Sequence, residues 1–158
     1  LNRQVDVGLV ENIIRHESIR STAWLSDELI IFCAPEHPLA LSNSVSMEEL
    51  VSATWVLRET GSGARTVFDE TFERHLATIH TAVEFGHNEP IKRAVSNGLG
   101  IGCLSSRVID RELADGTLTA INAPLEARMM RRFYIIQHAD VRLSAPAHTF
   151  ADACLGLR

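Results

Sequence analysis

The chain has 158 residues, 46% of them hydrophobic, with 20 acidic against 15 basic side chains and a formal charge of −5. That length and apolar content support one good core or two small lobes sharing a hinge, and the negative balance argues against a nucleic-acid surface. No run approaches the ~18 apolar residues of a membrane-spanning helix. In chain order, Val5–Val10 reads as a strand ending at Glu11-Asn12. Asp27–Cys33 is a stronger strand, closed by Ala34-Pro35-Glu36-His37-Pro38, whose two prolines bar a helix. Ser46 and Glu49 form a capping box that opens a short helix containing Leu50. The apolar run Thr54–Leu57 then leads into Arg58-Glu59-Thr60-Gly61-Ser62-Gly63-Ala64-Arg65. A helical pattern leaves that loop, with Phe68, Phe72 and Leu76 on one stripe and Asp69, Glu70, Glu73 and Arg74 facing away.

A second strand, Thr81–Phe85, turns through Gly86-His87-Asn88-Glu89-Pro90 into another helix, with Asn88 as its expected N-cap and Pro90 in its first turn. Ile91, Ala94 and Val95 form its buried stripe, and Asn97-Gly98 ends it. Gly100–Leu104 follows as a short buried strand. Ser105-Ser106 can cap a helix over Arg107–Leu113, and Asp115-Gly116 turns the chain into a strand over Leu118–Ile121. Asn122–Arg131 is the least regular segment and reads as a connection between lobes. Phe133–Ile136 is expected to be a buried strand. Ser144–Leu157 is the final helix, with Ala147, Phe150, Ala151 and Cys154 on its buried stripe. Strands and helices alternating through short loops imply an α/β fold with a largely parallel sheet.

The chemistry concentrates in the two βα loops. A strand that turns through Gly-Ser-Gly into a helix leaves the first N–H groups of that helix without intrahelical acceptors, and the glycines let a ligand approach them. Those donors and the helix dipole favour an anion, with the hydroxyls of Thr60 and Ser62 added. The plain alternative is a turn in which Ser62 caps the helix and nothing binds. Ligands of open α/β sheets sit beyond the carboxyl ends of strands, so two such loops point to a small-molecule cleft. Arg65, in the first helical turn, either pairs with the anion bidentately or extends into solvent. Lys92 is the only lysine beside 14 arginines, and Gly63 is followed by Ala64-Arg65, which excludes a P-loop. Thr60 and Ala64 stand where a nucleophile elbow needs glycines.

The histidines show no metal-ligand spacing, His75 and His80 read as surface residues, and neither metal nor cofactor is expected. Cys33, Cys103 and Cys154 lie in apolar segments and read as reduced thiols used as small hydrophobes. Trp24 and Trp55 read as packing residues. Ser62 with His87 as base and Glu59 or Glu84 as its orienter would make a small hydrolase, which is the enzyme alternative. An exported solute-binding protein is another. Neither displaces a binding domain without catalytic residues. The strand Val5–Val10 lacks a preceding partner, so the sequence reads as starting inside its first lobe.

Taken in order, several segments resemble the effector-binding domain of LysR-type transcriptional regulators. They are Asp6-Val7-Gly8-Leu9-Val10, Leu29–Ala40 with its His37-Pro38-Leu39-Ala40, Arg58–Arg65, and Ile91–Gly102 with Val95, Gly98-Leu99-Gly100-Ile101. The Arg-Glu-x-Gly-Ser-Gly form is most similar to regulators of carbon-fixation and sulfur-assimilation operons. The resemblance implies two Rossmann-like lobes joined by two crossing segments, as in type 2 periplasmic binding proteins, with the first lobe incomplete at its N-terminus. Residues 1–32 and 124–158 would make lobe one, and residues 33–123 lobe two. It further implies a small anionic metabolite in the interlobe cleft, met by Thr60, Gly61, Ser62, Gly63, Arg65, Asn88 and Glu11. A cytoplasmic homodimer or tetramer would contact DNA only through an N-terminal helix-turn-helix outside this sequence, with no membrane partner. Ala64 stands where relatives often carry threonine, which removes one hydroxyl from the loop.

Overall fold

The computed structural model describes residues 5–11 and 13–156. Its elements are strands β1 (Val7–Glu11) and β2 (Ile19–Cys33), helices α1 (Pro38–Leu41) and α2 (Met47–Ser52), and strand β3 (Thr54–Arg58). Helix α3 (Gly63–Thr71), a 3-10 turn (Glu73–His75), β4 (His80–Phe85), α4 (Asn88–Ser96) and β5 (Ile101–Ser105) follow. Helix α5 (Ser106–Ala114), β6 (Thr119–Ala120), β7 (Met129–His138) and α6 (Ala145–Gly156) complete the chain. These divide into unit 1, Leu1–Asp27 with Arg131–Arg158, and unit 2, Glu28–Met130. The strands β2 and β7 each run from one unit into the other.

Unit 2 is layered by the alternation of side chains along its strands. Leu29, Ile31 and Cys33 of β2, Trp55 and Leu57 of β3, and Ile101 and Cys103 of β5 feed one cluster, which Leu50, Phe68 and Phe72 complete. Phe32, Val56 and Leu104, the intervening residues, feed a second cluster with Ile91 and Val95 of α4 and Ile109 of α5. Helices therefore cover both faces of the sheet. The Trp55 ring meets Phe68 and Phe72 edge-on, at centroid distances of 4.8 and 5.5 Å. Its Nε1 donates to the Leu50 carbonyl at 3.0 Å, which satisfies the one polar atom of a fully buried side chain. Ser46 and Glu49 close the expected capping box ahead of α2.

The strands β4 and β5 both run parallel to β3, but β2 lies antiparallel to β5, from Leu29↔Ser105 to Phe32↔Gly102, and β6 lies antiparallel to β2. The sheet is mixed rather than largely parallel, because strand direction depends on which distant strand is the partner and local periodicity does not encode that. The close approach of β5 to β3 explains one motif glycine. Gly100 has φ +156°, and a Cβ there would lie 2.2 Å from the Thr54 carbonyl oxygen.

In unit 1, β1 pairs antiparallel with β7, from Val7↔Gln137 to Glu11↔Phe133. Trp24 Nε1 donates to the Cys154 carbonyl at 2.7 Å and ties β2 to α6. Both tryptophans are packing residues, and all three cysteines are free and buried. Burial pushes the Cys33 thiol up to about 11, which keeps it protonated and inert.

Several expected boundaries shift for identifiable reasons. Strand β2 begins at Ile19 rather than Asp27, because none of its first eight residues is buried and they carry no core pattern. A one-turn helix, α1, does form at Pro38, where proline occupies the first helical position and His37 Nδ1 accepts from the Leu39 amide at 3.2 Å. The stripe of α3 ends at Phe72. The 3-10 turn changes the angular phase, and Leu76 is exposed. The expected N-cap of α4, Asn88, is its first helical residue, and His87 takes the cap position with no side-chain cap bond. Ser105 caps α5 by position, also without a side-chain cap bond. In β7 only Met129 and Ile135 are buried, so Phe133, Tyr134 and Ile136 fall short of the expected burial. On α6, Ala151 and Cys154 are buried, whereas Phe150 is exposed. The positions expected for Asn12 and Leu157 lie outside the described residues.

Candidate functional site

Strands β3 and β4 end side by side, with Leu57↔Glu84 and Arg58↔Phe85 in register, and this brings the two βα loops together. The ladder extends one step further, where the Glu59 amide donates to the Phe85 carbonyl at 3.2 Å. The chain then reverses: the Ser62 amide donates to the Glu59 carbonyl at 3.2 Å, and Gly61 sits at φ +97°, a conformation that favours glycine. Ser62 caps α3, its Oγ accepting from the Arg65 amide at 3.1 Å. Thr60 and Gly61 are exposed at the tip, and Ser62 and Gly63 are half-buried.

Two arginines brace this loop. Arg58 grips Glu59 with two nitrogens, Nε to Oε2 at 2.8 Å and Nη2 to Oε1 at 3.0 Å, and its Nη1 donates to Asn88 Oδ1 at 3.0 Å. Arg65 donates from Nε to Asp69 Oδ1 at 2.8 Å and from Nη1 to the Arg58 carbonyl at 3.0 Å, and it is also paired with Glu84. Arg58 thus bridges the two loops, while Arg65 ties α3 to the ends of both strands. These bonds hold the Glu59 carboxyl below its ordinary range, through the Arg58 contact first of all. Burial acts to lower the Arg65 guanidinium, and its bonds to Glu84 and Asp69 outweigh that and raise it.

The structure therefore brings Thr60, Gly61, Ser62, Gly63, Arg65 and Asn88 into one cross-braced assembly. Arg65 differs from both expectations, because its guanidinium neither extends into solvent nor stands clear of the protein's own carboxylates. Glu11 lies in unit 1, where its Oε1 accepts from Arg131 Nη1 at 3.0 Å. The roles of Arg58 and Asp69 escaped the sequence reading. Arg58 was visible only as the head of the motif, and its partner Asn88 is 30 residues away. The carboxylates that would orient His87 in a serine hydrolase are otherwise engaged, Glu59 by Arg58 and Glu84 by Arg65. Among the described residues, no group of three or more His, Cys, Asp or Glu side chains could hold a metal, and no helix is long and apolar enough to cross a membrane.

Over residues 1–157 the chain matches the family described as the LysR substrate binding domain. The chain belongs to this family. The LysR domain is 44% identical over 154 residues to the HTH-type transcriptional regulator YeiE of Escherichia coli K12, covering 98% of this chain and 52% of that protein. It is 32% identical to the RuBisCO operon transcriptional regulator of Acidithiobacillus ferrooxidans, covering 94% of this chain and 48% of that one. Among solved structures it superposes on the regulatory domain of CcmR from Synechocystis PCC6803, in complex with 2-PG, with a TM-score of 0.84 and 29% identity. That match covers 99% of this chain and 74% of the CcmR chain. The chain spans about half the length of the curated relatives it matches. Its fold is the two-lobed α/β fold of LysR regulatory domains, of the type 2 periplasmic-binding-protein kind.

Proposed function

We propose that this domain senses an effector within a DNA-binding transcriptional regulator, and that a small carboxylate-, sulfate- or phosphate-bearing metabolite binds at the Thr60–Gly63 loop. The observation that carries the reading is the bracing of that loop by Arg58 and Arg65 while Thr60 and Gly61 stay exposed at its tip. A rigid loop presents donors without an ordering cost on binding. The hydroxyls of Thr60 and Ser62 and the first-turn amides of Gly63 and Ala64, which have no acceptor inside the helix, make the anion pocket. Gly61 lets the ligand come close. Asn88 gives its carbonyl oxygen to Arg58 and offers its NH2 group, Arg65 acts by holding the loop, and Glu11 acts through Arg131. The relatives' names, transcriptional regulators among them, and the 2-PG complex of CcmR support this reading.

In the whole protein the domain modulates transcription in the cytoplasm as a homodimer or tetramer, with DNA held by an N-terminal helix-turn-helix and with neither catalysis nor a cofactor in this domain. Thermal unfolding with a panel of small anions tests the site. At a hundredfold excess over its dissociation constant, the right anion stabilises the fold by about 2.7 kcal/mol. Ser62→Ala weakens that anion by about 0.5–3 kcal/mol, the worth of one hydrogen bond to a neutral or charged group. An anion whose affinity survives Thr60→Ala and Ser62→Ala together refutes the site.

A further inference from the structure

Unit 1 holds a guanidinium in an unusual setting. Arg131 of β7 is 13% exposed, and its Nε donates to Asp27 Oδ2 at 2.7 Å, where Asp27 is itself only 2% exposed. Its guanidinium carbon lies 4.9 Å from the centre of the Phe133 ring, on the same face of β7. A buried carboxylate on one edge and an aromatic ring against its face fix this arginine more firmly than its neighbours in sequence. The remaining contact is of a different kind. Glu11, opposite Phe133 in the β1–β7 register, reaches Arg131 through Nη1 alone, and its side chain is 38% exposed.

We propose that Arg131 is an oxyanion-binding site in its own right, and that the Glu11 carboxylate is its resting occupant, displaced when a sulfate, phosphate or carboxylate arrives. Three physical points lead there. A guanidinium presents its two terminal nitrogens as a fork that matches a two-oxygen acceptor, and Glu11 engages it by one nitrogen where a free oxyanion can engage both. Exchanging one carboxylate for another anion leaves the charge around Asp27 and Arg131 unchanged, so the buried pair is not disturbed. Glu11 ends β1 and is more than a third exposed, so its carboxylate returns to water at small cost. Displacement then releases the end of β1 from β7 at Glu11↔Phe133, a local change driven by the anion. This site stands on unit 1 residues alone and does not depend on the loop at Thr60–Gly63.

The test is calorimetric titration with sodium sulfate, against sodium chloride at matched ionic strength, in a Thr60→Ala/Ser62→Ala background that removes the loop hydroxyls of unit 2. Removing the tethered competitor by Glu11→Gln lowers the sulfate dissociation constant about two- to fivefold, the range of a partly exposed ion pair. Because Arg131→Gln alone would strand the buried Asp27, the arginine is tested as the pair Asp27→Asn/Arg131→Gln, with circular dichroism confirming the fold. That pair loses about tenfold or more in sulfate affinity, as expected for a charge-assisted contact. Sulfate affinity that is unchanged, weakened or absent in Glu11→Gln overturns the proposal. So does a folded Asp27→Asn/Arg131→Gln protein that binds sulfate as its parent does.

Discussion

In unit 2, Trp55, Phe68 and Phe72 are closed to water between a sheet and its helices, whereas in unit 1 Val5, Leu9, Ile13 and Phe150 stand open to it. The apolar side chains that unit 1 buries are few and small, chiefly Ile135, Ala151 and Cys154, and its most buried polar group is the carboxylate of Asp27. Unit 2 is thus held by layered apolar packing, and unit 1 by one strand pair, a tryptophan hydrogen bond and an ion pair. The difference teaches where sites can be built. The loop at Thr60–Gly63 rests on a core that fixes both of its strands, so its two arginines refine a geometry already determined. Arg131 has little apolar packing behind it and needs Asp27 to hold it.

The largest test of this contrast is a pair of phenylalanines. Phe68→Ala costs about 3–5 kcal/mol in urea denaturation, the range for emptying a packed aromatic site. Phe150→Ala, at an exposed position, stays within about 0.5 kcal/mol. Comparable losses at the two positions break the contrast.

Next in size is Gly100→Ala. Strain at a left-handed residue costs of order 1–3 kcal/mol, and the contact with the Thr54 carbonyl adds to it. A neutral effect in thermal unfolding contradicts the close β3–β5 approach. Ser62→Ala, without any ligand, removes the cap of α3 and costs about 0.5–2 kcal/mol. Since Ser62 sits on unit 2, chemical denaturation reports it in the same transition as Phe68→Ala.

The smallest effect is a pH dependence at His37. Burial holds its imidazole below its ordinary 6.5, and its Nδ1 accepts from the Leu39 amide only when that nitrogen carries no proton. The unfolded chain therefore binds more protons than the folded one as pH falls below about 6.5, and stability declines across that window until the folded imidazole also titrates. His37→Asn keeps a capping acceptor without the titration and flattens this part of the stability profile. A profile with the same slope in both proteins contradicts the role of His37.

The same contrast governs what the sequence reveals. In unit 2, the capping box at Ser46 and Glu49, the strands at Thr54 and Ile101, and the stripe of Ile91 and Val95 all follow from periodicity, because both faces of that sheet are buried. In unit 1, the first half of β2 and the exposed Phe150 leave no such pattern, because few of their side chains enter a core. The anion loop was legible from Gly61-Ser62-Gly63, since its local chemistry is contiguous. The bracing was not. Arg58–Asn88 and Arg65–Glu84 join residues that only the β3–β4 register brings together, and the sequence pattern at Arg65 is equally that of a ligand contact.

Backbone amide NMR during a titration with sulfate, and then with 2-phosphoglycolate and other small carboxylates, addresses the binding loop most directly. For the anion that binds, the Thr60–Gly63 loop and the first turn of α3 give the large, saturable amide shifts within unit 2. Thr60→Ala/Ser62→Ala reduces those shifts at equal ligand concentration. Saturable shifts elsewhere in unit 2 that leave Gly61, Ser62 and Gly63 unmoved contradict the assignment of this loop as the effector site.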